Sequence, residues 1–96
     1  MRVGIIGYGS MGKMLLEKLS LNSDLVDGKL YVANRSYEKI ADLAEEYHLC
    51  QNNQEIATLV DILFICVRPI DMKNVLEEIK NCLRKEQIIV SLNGSI

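Results

Sequence analysis

Two hydrophobic periods alternate along the chain. Val3-Gly4-Ile5-Ile6, Leu30-Tyr31-Val32-Ala33, Ile62-Leu63-Phe64-Ile65-Cys66-Val67 and Ile88-Ile89-Val90-Ser91-Leu92 are short, nearly continuous apolar runs rich in branched side chains. Such runs predict strands covered on both faces, as in a parallel sheet between two helical layers. A weaker run, His48-Leu49-Cys50, predicts a short edge strand. Between the runs, apolar residues recur in steps of three and four. Met11, Met14, Leu15 and Leu19 predict one helix, and Tyr37, Ile40, Ala41, Ala44 and Tyr47 a second, capped by Ser36. Asn53 is expected to cap a short helix over Gln54 to Leu59. The cleanest stripe is Met72, Val75, Leu76, Ile79, Cys82 and Leu83, with Asp71 as its expected cap. Alternation of this kind predicts an α/β fold: a Rossmann-like doubly wound parallel sheet with strand order 3-2-1-4-5.

Composition narrows the partners. The 96 residues make one domain, 1–96, with no internal linker or repeat. A net charge of −2 with the two signs interleaved offers no basic stripe to nucleic acid or to an anionic membrane. The apolar runs are too short to span a bilayer, and a strand followed by a glycine loop does not open a signal peptide. A cytoplasmic protein is expected. Cys50, Cys66 and Cys82 are widely spaced and outside any CxxC motif, so free, buried or half-buried thiols and no metal site are expected. His48 has no identifiable partner for acid–base work. Lys80, Arg84 and Lys85 interleave with Glu77, Glu78 and Glu86 as a solvated helix face. Met11 and Met14 read as core fillers, and Asp24 and Asp27 as turn residues before Gly28.

The candidate chemistry is nucleotide binding. Gly7-Tyr8-Gly9-Ser10-Met11-Gly12 fits the G-x-G-x-x-G pattern, follows a predicted strand and opens a predicted helix. In that setting the first Gly permits the turn, the second lets backbone approach a pyrophosphate, and the third lets helix lie close on strand. Backbone amides and the positive helix end then meet the phosphate charge. After the second strand stands Ala33-Asn34-Arg35-Ser36, without the carboxylate that would bind the ribose 2′-OH of NAD. Arg35 can pair a 2′-phosphate bidentately, and Ser36 adds a hydroxyl, so NADP (NADPH) is the expected cofactor.

With the glycine loop, Asn34-Arg35-Ser36 and Val67-Arg68-Pro69 together, the chain resembles the N-terminal domain of the pyrroline-5-carboxylate reductase family over its whole length. Asn53, eight residues before Asp61, and the V-[KR]-P turn after the fourth strand are part of that resemblance. It implies reduction of a cyclic imine, 1-pyrroline-5-carboxylate, to proline. It also implies phosphates on Tyr8 to Gly12, an adenosine phosphate on Asn34, Arg35 and Ser36, and Asn53 near the adenosine ribose. Val67, Arg68 and Pro69 would lie toward the nicotinamide. The family continues into a helical C-terminal domain that makes the homodimer and most of the substrate pocket. The chain is therefore expected to be the N-terminal part of a longer protein, with catalytic residues unknown and no turnover alone. Asn93 and Gly94 stand where the family commonly has alanines, and Arg68 where it has Lys. These departures fit a divergent, non-catalytic, late-competence-type paralogue. A β-hydroxyacid dehydrogenase N-terminal domain, which shares the glycine loop and N-R-S, is a further alternative.

Overall fold

The computed structural model describes residues 1–22 and 30–92. Its strands are β1 (Val3–Ile6), β2 (Tyr31–Ala33), β3 (His48–Leu49), β4 (Ile62–Ile65) and β5 (Ile88–Ser91), and its helices α1 (Ser10–Ser20), α2 (Asn53–Leu59) and α3 (Pro69–Ile79). All neighbouring strands pair in parallel in the order β3-β2-β1-β4-β5. This is the predicted Rossmann-like sheet. Chain order reverses beside β1, whose Ile6 pairs with Ala33 on one side and Ile65 on the other. The carboxyl ends of β1, β2 and β4 therefore open together into one crevice. Asp24, Asp27 and Gly28, and Asn93 to Ser95, lie outside the described residues.

Alternation along β1 sends side chains to two cores. Val3 and Ile5 join Leu16, Val32, Ile40 and Tyr47 on one face. Ile6 joins Ile56, Ala57, Leu63, Ile65, Val75 and Ile79 on the other. Each such aliphatic side chain stabilises the fold by about 1.5–3 kcal/mol through burial. The outer strand β5 is less covered than its continuous apolar run predicts: Ile88 is exposed because only β4 flanks it. Among the described residues no helix is long and apolar enough to cross a membrane.

Several local expectations are corrected. The helix predicted over Tyr37 to Tyr47 is instead two 3₁₀ turns, Tyr37–Lys39 and Ala41–Leu43. The amides of Lys39, Ile40, Leu43 and Glu46 each reach three residues back. A 3₁₀ turn rises about 2.0 Å per residue against about 1.5 Å for an α-helix, so this short crossover covers more length while still burying Ile40 and Tyr47. Ser36 precedes the first turn but makes no side-chain cap bond. The cap of α2 is Asn52, not Asn53: its Oδ1 accepts from Glu55 N at 2.8 Å while Glu55 returns a bond to Gln51 N. Helix α3 begins at Pro69 with Arg68 as its N-cap, because proline's fixed φ suits the first helical position. Asp71 is thereby moved into the first turn.

In α1 the buried residues are Gly12 and Leu16, whereas Met14 is half exposed and is not a core filler. Leu76 and Leu83 are also exposed, and α3 gives way to a 3₁₀ turn at Lys80–Cys82 before Leu83. Arg84 is exposed as expected but also has structural partners: it donates to the Thr58 and Val60 carbonyls at 2.7 and 3.0 Å, and Gln87 also donates to Val60 O. Together they satisfy the carbonyls that the end of α2 leaves open.

Candidate functional site

The glycine loop joins β1 to α1 by direct backbone packing. Gly7 has φ +100°, and a Cβ there would overlap the Cys66 carbonyl. A Cβ on Gly12 would overlap the Gly7 carbonyl. These two glycines are demanded by the protein itself. Gly9 is different: a Cβ there meets nothing within 4 Å, and its backbone is extended at φ −88°. No intramolecular contact explains it.

Beyond Gly9 lies the start of α1, which has no side-chain cap and no acidic residue in its first turn. The first-turn amides of a helix have no intrahelical partner, and here the dipole's positive end is not neutralised. The amide of Tyr8 is committed elsewhere. It donates to Asn34 Oδ1 at 3.0 Å, while Asn34 Nδ2 donates to Ser36 O at 3.0 Å. Asn34 thus brackets the glycine loop to the turn after β2. The sequence reading missed this role, although an Asn at a strand end beside a glycine loop is a signal for it.

Two cavities share Gly9, Cys66, Val67 and Arg68 in their linings. The first, about 430 Å³, is lined by Tyr8, Asn34, Arg35, Asn53, Asp71 and Glu78 among others. The second, about 490 Å³, is lined by Ser10, Met11, Met14, Val67, Pro69 and Leu92 and is mostly apolar. The fold therefore gathers Gly7, Tyr8, Gly9, Asn34, Arg35, Asn53, Val67 and Arg68 around one cavity, and Ser10, Met11 and Pro69 around its neighbour. Gly12 is buried beneath the loop, and Ser36 lines neither cavity.

Charge in the first cavity differs from the sequence reading in one respect. No carboxylate follows β2 in the chain, yet α3 delivers one. Asp71 Oδ2 accepts from Arg68 Nε at 3.0 Å, and Asp71 Oδ1 lies 3.8 Å from Arg35 Nη2. Arg68, Asp71, Asn74, Val75 and Glu78 face the cavity because they repeat at three- and four-residue steps along α3. Glu78 is engaged by Asn53 Nδ2 at 3.4 Å.

Burial pushes the Cys66 thiol up to about 11, and burial with the nearby Glu55 charge pushes Cys50 up to about 12. Both are protonated, unreactive core thiols at neutral pH. His48 lies on the outer strand, its ring 4.6 Å from that of Tyr31 and away from both cavities.

A family model described as NADP oxidoreductase coenzyme F420-dependent matches residues 2–94. Pyrroline-5-carboxylate reductase of Escherichia coli is 33% identical over 97 residues, covering 99% of this chain and 36% of that protein. ComE operon protein 4 of Bacillus subtilis is 28% identical over 99 residues, covering 100% of this chain and 36% of that protein. A solved pyrroline-5-carboxylate reductase structure from Coxiella burnetii superposes with a TM-score of 0.80 at 31% identity, covering 96% of this chain and 35% of that one. The chain spans only 36% of the length of each of the two curated relatives.

Proposed function

The chain belongs to the family described as NADP oxidoreductase coenzyme F420-dependent, and on that premise we propose that it is the NADP-binding part of a reductase resembling pyrroline-5-carboxylate reductase. The observation that carries this reading is Gly9. Its missing side chain is unexplained by any protein contact, and it borders an uncapped helix N-terminus. A group approaching the backbone there, with negative charge for the first-turn amides, accounts for both features.

In this reading the amides of Ser10 and Met11 hold the pyrophosphate, with the Tyr8 amide kept out of that role by Asn34. Arg35 pairs the 2′-phosphate, and Asn53 faces the adenosine ribose across the first cavity. Bound NADPH would supply the hydride for reducing a small cyclic imine such as 1-pyrroline-5-carboxylate. Met11, Val67, Pro69 and Leu92 wall the second cavity and offer the nicotinamide end a mostly apolar surface. Among the described residues lining that cavity there is no carboxyl or imidazole group to move a proton. The family resemblance would place the substrate pocket, proton delivery and dimer contacts in a helical domain of a longer protein.

The test is a fluorescence titration of this chain with NADPH and NADH, followed by an assay of the full-length protein with NADPH and pyrroline-5-carboxylate. Saturable binding that favours NADPH, with turnover in the longer protein, is the expected result. Absence of binding to either nucleotide would remove the reading. The similarity to ComE operon protein 4 along the whole chain supports a second reading, a nucleotide-binding paralogue without catalysis. Tight NADPH binding with no turnover on a panel of imines would favour that one.

A further inference from the structure

The lining of the first cavity includes a charge triad that the chain order conceals. Arg35 leaves the turn after β2, and Arg68 precedes α3. Both reach the carboxylate of Asp71, at 3.8 Å from Arg35 Nη2 and 3.0 Å from Arg68 Nε. The two arginines are 79% and 72% exposed and Asp71 only 22%, so the carboxylate is the fixed member and the guanidiniums are the movable ones. Arg68 engages it by a charge-assisted hydrogen bond, whereas Arg35 has only the looser ion pair. Glu78, the other carboxylate of this wall, is turned to Asn53.

We infer that Asp71 is a specificity-determining residue that competes with the cofactor's 2′-phosphate for Arg35. The inference rests on the NADP reading above. With no nucleotide bound, Arg35 pairs with Asp71. A 2′-phosphate offers it a doubly charged, bidentate partner, and Arg35 transfers to that partner while Arg68 continues to neutralise Asp71. This competition weakens NADPH binding and does not act on NADH, whose 2′-hydroxyl carries no charge. The carboxylate therefore lowers the preference for NADPH that Arg35 creates, and it does so from a helix rather than from the strand end.

The experiment measures dissociation constants of NADPH and NADH for the 96-residue chain as wild type, Asp71→Asn, Arg35→Ala and the double variant, at low and high salt. Asp71→Asn keeps size and helix position, and circular dichroism checks its fold. NADPH is expected to bind about two- to fivefold more tightly to Asp71→Asn at low salt, the range of an exposed ion pair, with NADH unchanged. That gain should shrink at high salt and vanish when Arg35 is already Ala. Unchanged or weaker NADPH binding, an equal shift for both nucleotides, or a gain that survives without Arg35 overturns the inference while leaving the cofactor reading intact. Wild-type chain that binds neither nucleotide overturns both.

Discussion

The turn after β1 and the turn after β2 border the same cavity, yet different forces hold them. The first is set by backbone contact: Gly7 against the Cys66 carbonyl and Gly12 against the Gly7 carbonyl. The second has no such packing. Asn34 ties it to the loop by accepting from the Tyr8 amide and braces the turn itself by donating to Ser36 O, and Arg35 extends into solvent with a distant carboxylate as its partner. One turn is shaped by the fold, and the other is organised around a charge the fold does not need. The contrast separates residues required for folding from residues whose only evident use is a ligand.

The sharpest way to break the first turn is Gly12→Ala, which must displace backbone rather than a flexible side chain. It is expected to cost about 3 kcal/mol or more, read as a lower midpoint in urea denaturation. Next in size is Arg35→Ala, which should weaken NADPH binding by about 1.5–3 kcal/mol, the range of a charged hydrogen bond. The same variant should leave NADH binding and folding stability nearly unchanged; equal losses for both nucleotides would refute a 2′-phosphate role. Asn34→Ala tests the bridge between the turns. It leaves the part-buried Tyr8 amide unpaired and is expected to cost about 1–2 kcal/mol, with faster hydrogen exchange at Tyr8.

The smallest effect on folding is expected at Gly9. Alanine is a poorer helix cap than glycine, but it also restricts the unfolded chain, and the two offset to within about 0.5 kcal/mol. Gly9→Ala should nevertheless weaken NADPH and NADH alike, measured in the same titration. A large loss of stability at Gly9 would erase the distinction between it and Gly12.

The strand-rich runs at Val3 to Ile6 and Ile62 to Ile65 were legible because burial on both faces leaves a continuous apolar signature. Strand order followed from the alternation of strand and crossover. The segment from Tyr37 to Tyr47 was misread because its apolar steps satisfy an α-helix and successive 3₁₀ turns almost equally. The distance it has to span favours the turns. Met14 fitted the helical stripe of α1 but faces the second cavity, since spacing gives a shared face without saying what that face meets.

What the sequence by itself determined is the α/β architecture and the two turns that frame the crevice, because periodicity and glycine spacing are local properties of the chain. Only the tertiary structure decided which glycines the fold consumes, since Gly9 and Gly12 are the same residue until their neighbours are known. It also decided the charge at the end of β2. Asp71 lies 36 positions after Arg35 in the chain, and no local rule joins them. They meet because α3 follows β4, which pairs with β1 on the side opposite β2, and its third residue lines the cavity.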